Sequence, residues 1–235
     1  MGLLYAEIPL SEVILNEPTL IPVINRFGIT LGTQEKSISE ICREKGLDAD
    51  FFLTILNTFV NDSFFPEKKL KSFCASQIVD YLSQTNSYYV RYQLPNIERH
   101  FSLLIEKSPL QNNNLELIRQ FFLELKQELL LRIENDEKEW FPQIKRLSEN
   151  IHPETAVTSC CSNDTELNPV EEKLNDLKSL FVRHLSGDYN LNLCYGVIFA
   201  IFSLEKDIKQ NNRIRNRILK PLYHSMLQIQ TPEKL

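Results

Sequence analysis

The sequence predicts an all-α protein: a small N-terminal helical domain, residues 1–65, and an antiparallel four-helix bundle, residues 66–235. Three observations predict it. Only six glycines occur in 235 residues, and Gly28, Gly46 and Gly187 each follow an amphipathic run, where a helix end favours a left-handed residue. Alternating runs of β-branched residues are scarce, so strands have little to form from. Beyond residue 66, four long segments repeat apolar residues at intervals of three and four, joined by short or linker-like connections, as an antiparallel bundle requires.

Within the first domain, Ser11 and Glu12 precede VILNEP and predict a short helix. Pro18 suits a first helical turn, and LIPVINRFG then puts Leu20, Val23, Ile24 and Phe27 on one face before Gly28 ends it. Ser37-Ile38-Ser39-Glu40 reads as a capping box opening a helix that closes at Gly46. Asp48 is placed to cap the next helix, with Phe51, Phe52, Ile55, Leu56 and Phe59 as its buried face. DSFFPEKKLK reads as a connector with Pro66 as a stop. A unit this small needs packing on a neighbour.

From Ser72 the pattern is helical again, and Pro95 is expected to kink this helix or split it. Asn112 to Asn114 form a turn, and Leu115 opens the second long helix. Residues 148–169, with His152, Pro153 and the adjacent Cys160 and Cys161, read as a flexible linker. The third helix runs from about Val170 to Leu185 with Leu174, Leu177, Phe181 and Val182 inward. After a break at Ser186-Gly187-Asp188, the fourth runs from Leu191 past Met226.

Two of these helices carry polar residues on their core stripe. Leu125, Leu129, Arg132 and Asp136 fall at spacings of four, three and four, so the face turns ionic for one turn before Trp140 and Phe141 resume it. Leu204, Ile208, Asn211, Arg215, Ile218 and Leu222 repeat the pattern, interrupted by Asn211 and Arg215. Polar residues at matching interior positions predict a bundle with a polar centre, where such folds place metals and ligands.

Bulk properties narrow the function classes. A formal net charge of -5 argues against a nucleic-acid-binding surface, and the basic run from Lys206 to Lys220 reads as a solvated face around an apolar stripe. No run reaches the roughly 18 apolar residues of a membrane span, and the N-terminus lacks a basic segment followed by a long apolar core, so the expected compartment is the cytoplasm. Cys42, Cys74 and Cys194 are expected to be small core residues. Tyr81, Tyr88, Tyr89 and Tyr92 form an aromatic band on the first long helix, read as packing with hydroxyls near the rim. No nucleophile–base pair, phosphate loop or zinc spacing is present.

The run EVILNEPTLIPVINRFGI, with its capping box and CREKGLDADFF, resembles the small N-terminal domain of the repair-of-iron-centres family, also called RIC or ScdA-type proteins. QLPNIE, QELLLRIENDEKEWFPQI, SLEKDI and NRILKPL resemble that family's hemerythrin-like four-helix bundle, so the likeness spans roughly residues 8 to 225. The family's adjacent cysteines after Gly-Ile are replaced here by Thr30 to Lys36. The resemblance implies repair of iron–sulfur clusters damaged by nitric oxide or oxidants, with a non-haem di-iron centre held by histidines and carboxylates. The positions implied for those ligands hold Asn86, Ser87, Ser108, Arg132, Asp136, Asn168, Asn211 and Arg215. Of these, Asp136 alone is a good metal ligand.

His100, His152, His184 and His224 lie off the interior stripe. Arginine stays protonated and is a poor ligand. The expectation is therefore a buried polar network of Arg132, Asp136, Asn211 and Arg215, with no metal, no cofactor and no catalytic residue. An anion held between the two arginines ranks below it. The functional expectation is a metal-free relative of the repair proteins that binds a protein partner, or acts as a regulator, under nitrosative or oxidative stress. A second copy of the chain is one candidate partner; no direct nucleic-acid or membrane contact is expected. The alternative is a di-iron repair protein with an unconventional ligand set.

Overall fold

A computed structural model describes residues 2–109, 113–149 and 168–230. In chain order the α-helices are α1 (Leu10–Asn16), α2 (Ile21–Asn25), α3 (Ile38–Lys45), α4 (Ala49–Val60), α5 (Glu67–Ser72), α6 (Ala75–Tyr88), α7 (Leu94–Glu106), α8 (Asn113–Asn135), α9 (Phe141–Glu149), α10 (Pro169–Ser179), α11 (Leu191–Ile214) and α12 (Lys220–Gln230). Among the described residues no strand forms, and one isolated bridge joins Pro9 to Ser37. The protein is all-α. It divides into two compact units assembled from separate stretches, not cut at residue 65. One holds 2–85, 142–149 and 213–230; the other holds 86–109, 113–141 and 168–212. The adjacent Cys160 and Cys161, His152 and most of the expected linker lie outside the described residues.

The first unit follows its local signals closely. Ser37 accepts from the Glu40 amide while the Glu40 carboxylate accepts from the Ser37 amide, and Gly46 closes α3 at φ 64°. The Asp48 carboxylate accepts from the amides of Asp50 and Phe51. Phe51, Phe52, Ile55, Leu56 and Phe59 are all buried on α4. Phe27 lies 4.8 Å from Phe52, edge-on, and stacks on Tyr81 at 5.4 Å. Buried Asn57 exchanges two hydrogen bonds with Leu4, 2.7 Å from the Leu4 amide and 3.1 Å to its carbonyl, and so anchors the N-terminal segment. The expected connector instead contains α5: Leu70 is fully buried, and Glu67 at its start with Lys69 and Lys71 at its end match the helix dipole. Cys74, expected in the core, is exposed in the loop before α6.

In the second unit, α7, α8, α10 and α11 close on one apolar core. Ile97, Phe101 and Leu104 meet Phe122, Leu125 and Leu129, with Leu174 and Leu177 from α10 and Val197, Ile201 and Leu204 from α11. Phe101 stacks on Phe122 at 5.2 Å and lies 5.7 Å from Phe181. Val182, expected inward, is exposed. It falls in the π turn Leu180–His184, which shifts the helical phase past Phe181.

Pro95 neither splits nor ends its helix. The π turn Tyr89–Gln93 joins α6 to α7 and ends two residues before Pro95. The same arrangement recurs twice: Asp136–Trp140 ends two residues before Pro142, and Arg215–Leu219 two before Pro221. Proline lacks an N–H, and its ring clashes with the carbonyl four residues back. A wider turn just upstream relieves that clash and lets the helix continue.

Gly196 lies inside α11, where a β-carbon would meet His100 Nδ1 at 3.5 Å, an ordinary contact. Gly196→Ala is expected to raise stability by about 0.5–1 kcal/mol, because alanine loses less backbone entropy in a helix. A higher melting temperature checks this; a lower one would mean that His100 cannot accept the methyl group.

Candidate polar centre of the second unit

The α8 stripe forms as its spacing predicts. Leu125 and Leu129 are fully buried, Arg132 is half-buried, and Asp136 is 1% exposed. Asp136 is the first residue of the π turn Asp136–Trp140, so the wide turn begins one turn past Arg132. Arg132 Nη1 donates to Asn212 Oδ1 at 3.0 Å, and Asn212 Nδ2 donates onward to Glu171 Oε1 at 2.6 Å. This chain links α8, α11 and α10. Asn211, also buried, donates from Nδ2 to the Tyr89 hydroxyl at 3.0 Å and to the Asp207 carbonyl and carboxylate, each at 2.8 Å. Asp136 and Arg132 have further partners of their own.

The remaining expected positions are placed differently. Asn86 is buried and donates to Glu137 Oε1 at 2.9 Å, and Ser87 is half-buried. Ser108 is structural: its hydroxyl donates to the Leu104 carbonyl and accepts from the Asn190 amide. Asn168 caps α10, accepting from the Val170 amide at 3.0 Å. Arg215 opens the π turn Arg215–Leu219 and belongs to the first unit.

Sequence reasoning missed Tyr89, Glu171, Asp207, Glu137 and Asn212. Asn212 was the findable one. It lies four residues after Ile208, so it shares the stripe assigned to Asn211. The others face their partners from different helices, which single-sequence spacing does not reveal.

The donor set does not suit a di-iron centre. Iron of that kind needs several lone pairs converging from imidazoles and carboxylates. Here a guanidinium, which has no lone pair to give, stands at the helix face. The Asn212 oxygen accepts from it, and the Asn211 and Asn212 NH2 groups donate to neighbouring groups. Of these amide atoms Asn211 Oδ1 alone is buried without a hydrogen-bond partner, one neutral oxygen where several ligands would have to converge. Among the described residues, no group of three or more His, Cys, Asp or Glu is arranged to hold a metal ion. Two thiols are held protonated: burial, and then the Asp48 charge, push Cys42 up to about 11, and burial raises Cys194. No family model matches the chain, and no curated protein matches it.

Nearly two turns before Asn211 on α11, Glu205 forms a buried ion cluster. Its Oε1 lies 2.6 Å from the ammonium groups of Lys178 and Lys209. Burial works to raise this carboxyl, but the two ammonium groups outweigh it and hold it below its ordinary value. A carboxylate held low in the folded state adds stability that is fully present above its ordinary value and is lost as the pH falls through the folded one. Glu205→Gln is expected to cost about 1.5–3 kcal/mol at neutral pH. Denaturant titration near pH 3 should show a smaller difference; an equal cost at both would mean that the charge is not what matters.

Proposed function

We propose that this chain is a metal-free, divergent relative of the iron–sulfur-cluster-repair proteins, built on a hemerythrin-like bundle, and that it acts by binding a protein partner in the response to nitrosative or oxidative stress. The order and spacing of the segments from EVILNEP to NRILKPL support the kinship. The observation that carries the metal-free reading is the bond from Arg132 through Asn212 to Glu171. A protonated guanidinium stands at the position where the resemblance would put a histidine's lone pair, and it donates to the neighbouring Asn212 amide. Such a network holds the helices together and leaves the chain's chemistry to its surface.

The reading is tested by restoring ligands. Replacing Arg132 and Asn211 with His should raise iron uptake above that of the parent chain. If the parent already binds iron and the double variant binds less, the alternative of an unconventional di-iron site takes its place.

A further inference from the structure

The outer face of α11 is apolar where a bundle helix would present charge. LNLCYGVIFAIF, Leu191 to Phe202, contains no charged residue. Its inward side packs in the core, yet Leu191, Tyr195, Phe199 and Phe202 point outward at spacings of four, four and three. They are 51%, 49%, 70% and 42% exposed, a continuous stripe about 16 Å long at the helical rise. Scattered exposed apolar residues are normal on a protein surface, but an aligned row of aromatics marks an interaction site.

Lysines border one end of the stripe, one of them, Lys178, paired with Glu205. On the α10 side, Lys178 holds its ammonium 5.4 Å above the Phe202 ring, and exposed Lys206 follows at the stripe's end. On the α7 side, Gln93 Nε2 donates to the Ala200 carbonyl. Gln93 also lines a groove of about 370 Å³ with Tyr88, Tyr92, Arg91 and Arg99. No Asp or Glu lines this groove, and no carboxylate pairs with Arg91 or Arg99 among the described residues. In a chain of net charge -5, an aromatic stripe meeting an arginine groove is a local reversal of sign.

We propose that this face docks an acidic amphipathic helix of a partner protein, with apolar residues lying along Tyr195, Phe199 and Phe202 and carboxylates reaching Arg91 and Arg99. Helix-in-groove recognition uses such a row of anchors, and arginines select carboxylates by paired hydrogen bonds. Two copies meeting on this face would set arginines against arginines, which disfavours a homodimer here. A bilayer would take up the stripe but has no use for the recessed groove. The inference rests on the partner-binding reading above and gives that partner's chemistry.

The test uses the full chain and two fluorescein-labelled helical peptides of the same amphipathic pattern, one of Leu and Glu, the other of Leu and Lys. Fluorescence anisotropy should show the Glu peptide bound at least about tenfold more tightly, with affinity falling as salt rises. The double variants Tyr195→Ser/Phe199→Ser and Arg91→Glu/Arg99→Glu should each weaken it by about tenfold or more while the melting temperature holds, since the side chains are exposed. Equal binding of both peptides, no binding, or binding untouched by the variants overturns the proposal. So does a parent dimer that the stripe variants convert to monomer, which names a second copy. Binding to phosphatidylglycerol vesicles without peptide preference overturns it in favour of a membrane. Iron content measured on the same preparation separates the failures: iron present removes the metal-free reading, whereas iron-free protein that ignores the Glu peptide removes only this surface.

Discussion

Replacing Asp136 with alanine is expected to destabilise the protein by about 3–5 kcal/mol, the cost of removing one partner from a buried charge pair. Asp136 is 1% exposed, and a carboxylate so deeply buried persists only when its charge and lone pairs are satisfied. It has a partner, and Arg132 stands one turn before it on the same helix. Asp136→Asn keeps the shape and some hydrogen bonding but not the charge, so it is expected to recover less than half of the loss. Guanidinium titration of the parent and both variants reads the effect. A loss within about 0.5 kcal/mol, the range of ordinary surface substitutions, would show that Asp136 has no structural charge to balance.

Phe101→Ala is expected to cost a similar amount, about 3–5 kcal/mol, by a different mechanism. Its ring is fully buried between Phe122 at 5.2 Å and Phe181 at 5.7 Å, where three helical segments of the second unit meet. Truncation removes the transfer free energy of a benzyl group, leaves a cavity, and ends two ring–ring contacts worth roughly 0.5–1.5 kcal/mol each. Phe101→Leu should recover about half by filling part of that space. Phe199→Ala, also a loss of a phenyl ring but at 70% exposure, should fall within about 0.5 kcal/mol of the parent. Equal costs at Phe101 and Phe199 would contradict the packing described.

Much of this was legible in the chain because its signals are local. The capping box at Ser37, the glycine stop at Gly46 and the Asp48 cap each depend on neighbours within four residues, and each forms as read. The buried faces of α4, α8 and α10 follow from helical spacing. The prolines were read too simply. A kink or a split was expected at Pro95; the chain stays helical there, and three prolines each follow a π turn. The polar residues of the centre were identifiable as interruptions of an apolar stripe, while their partners were not. Arg132 bonds to Asn212 and Asn211 to Tyr89, pairings 80 and 122 residues apart that no local pattern encodes. The α11 aromatics were legible only in part: Val197 lies seven residues before Leu204 on the core stripe and is buried, while Phe199 falls off that stripe and is 70% exposed.

The central claim is that the polar centre is a bonded network and not a metal site. Its most direct test is metal analysis of protein purified anaerobically from iron-replete cells, read together with the visible absorption spectrum. The account predicts far less than one iron per chain and no visible band, with the fold unchanged by chelators. About two irons per chain, the number a di-iron centre requires, with a matching absorption band, would contradict it.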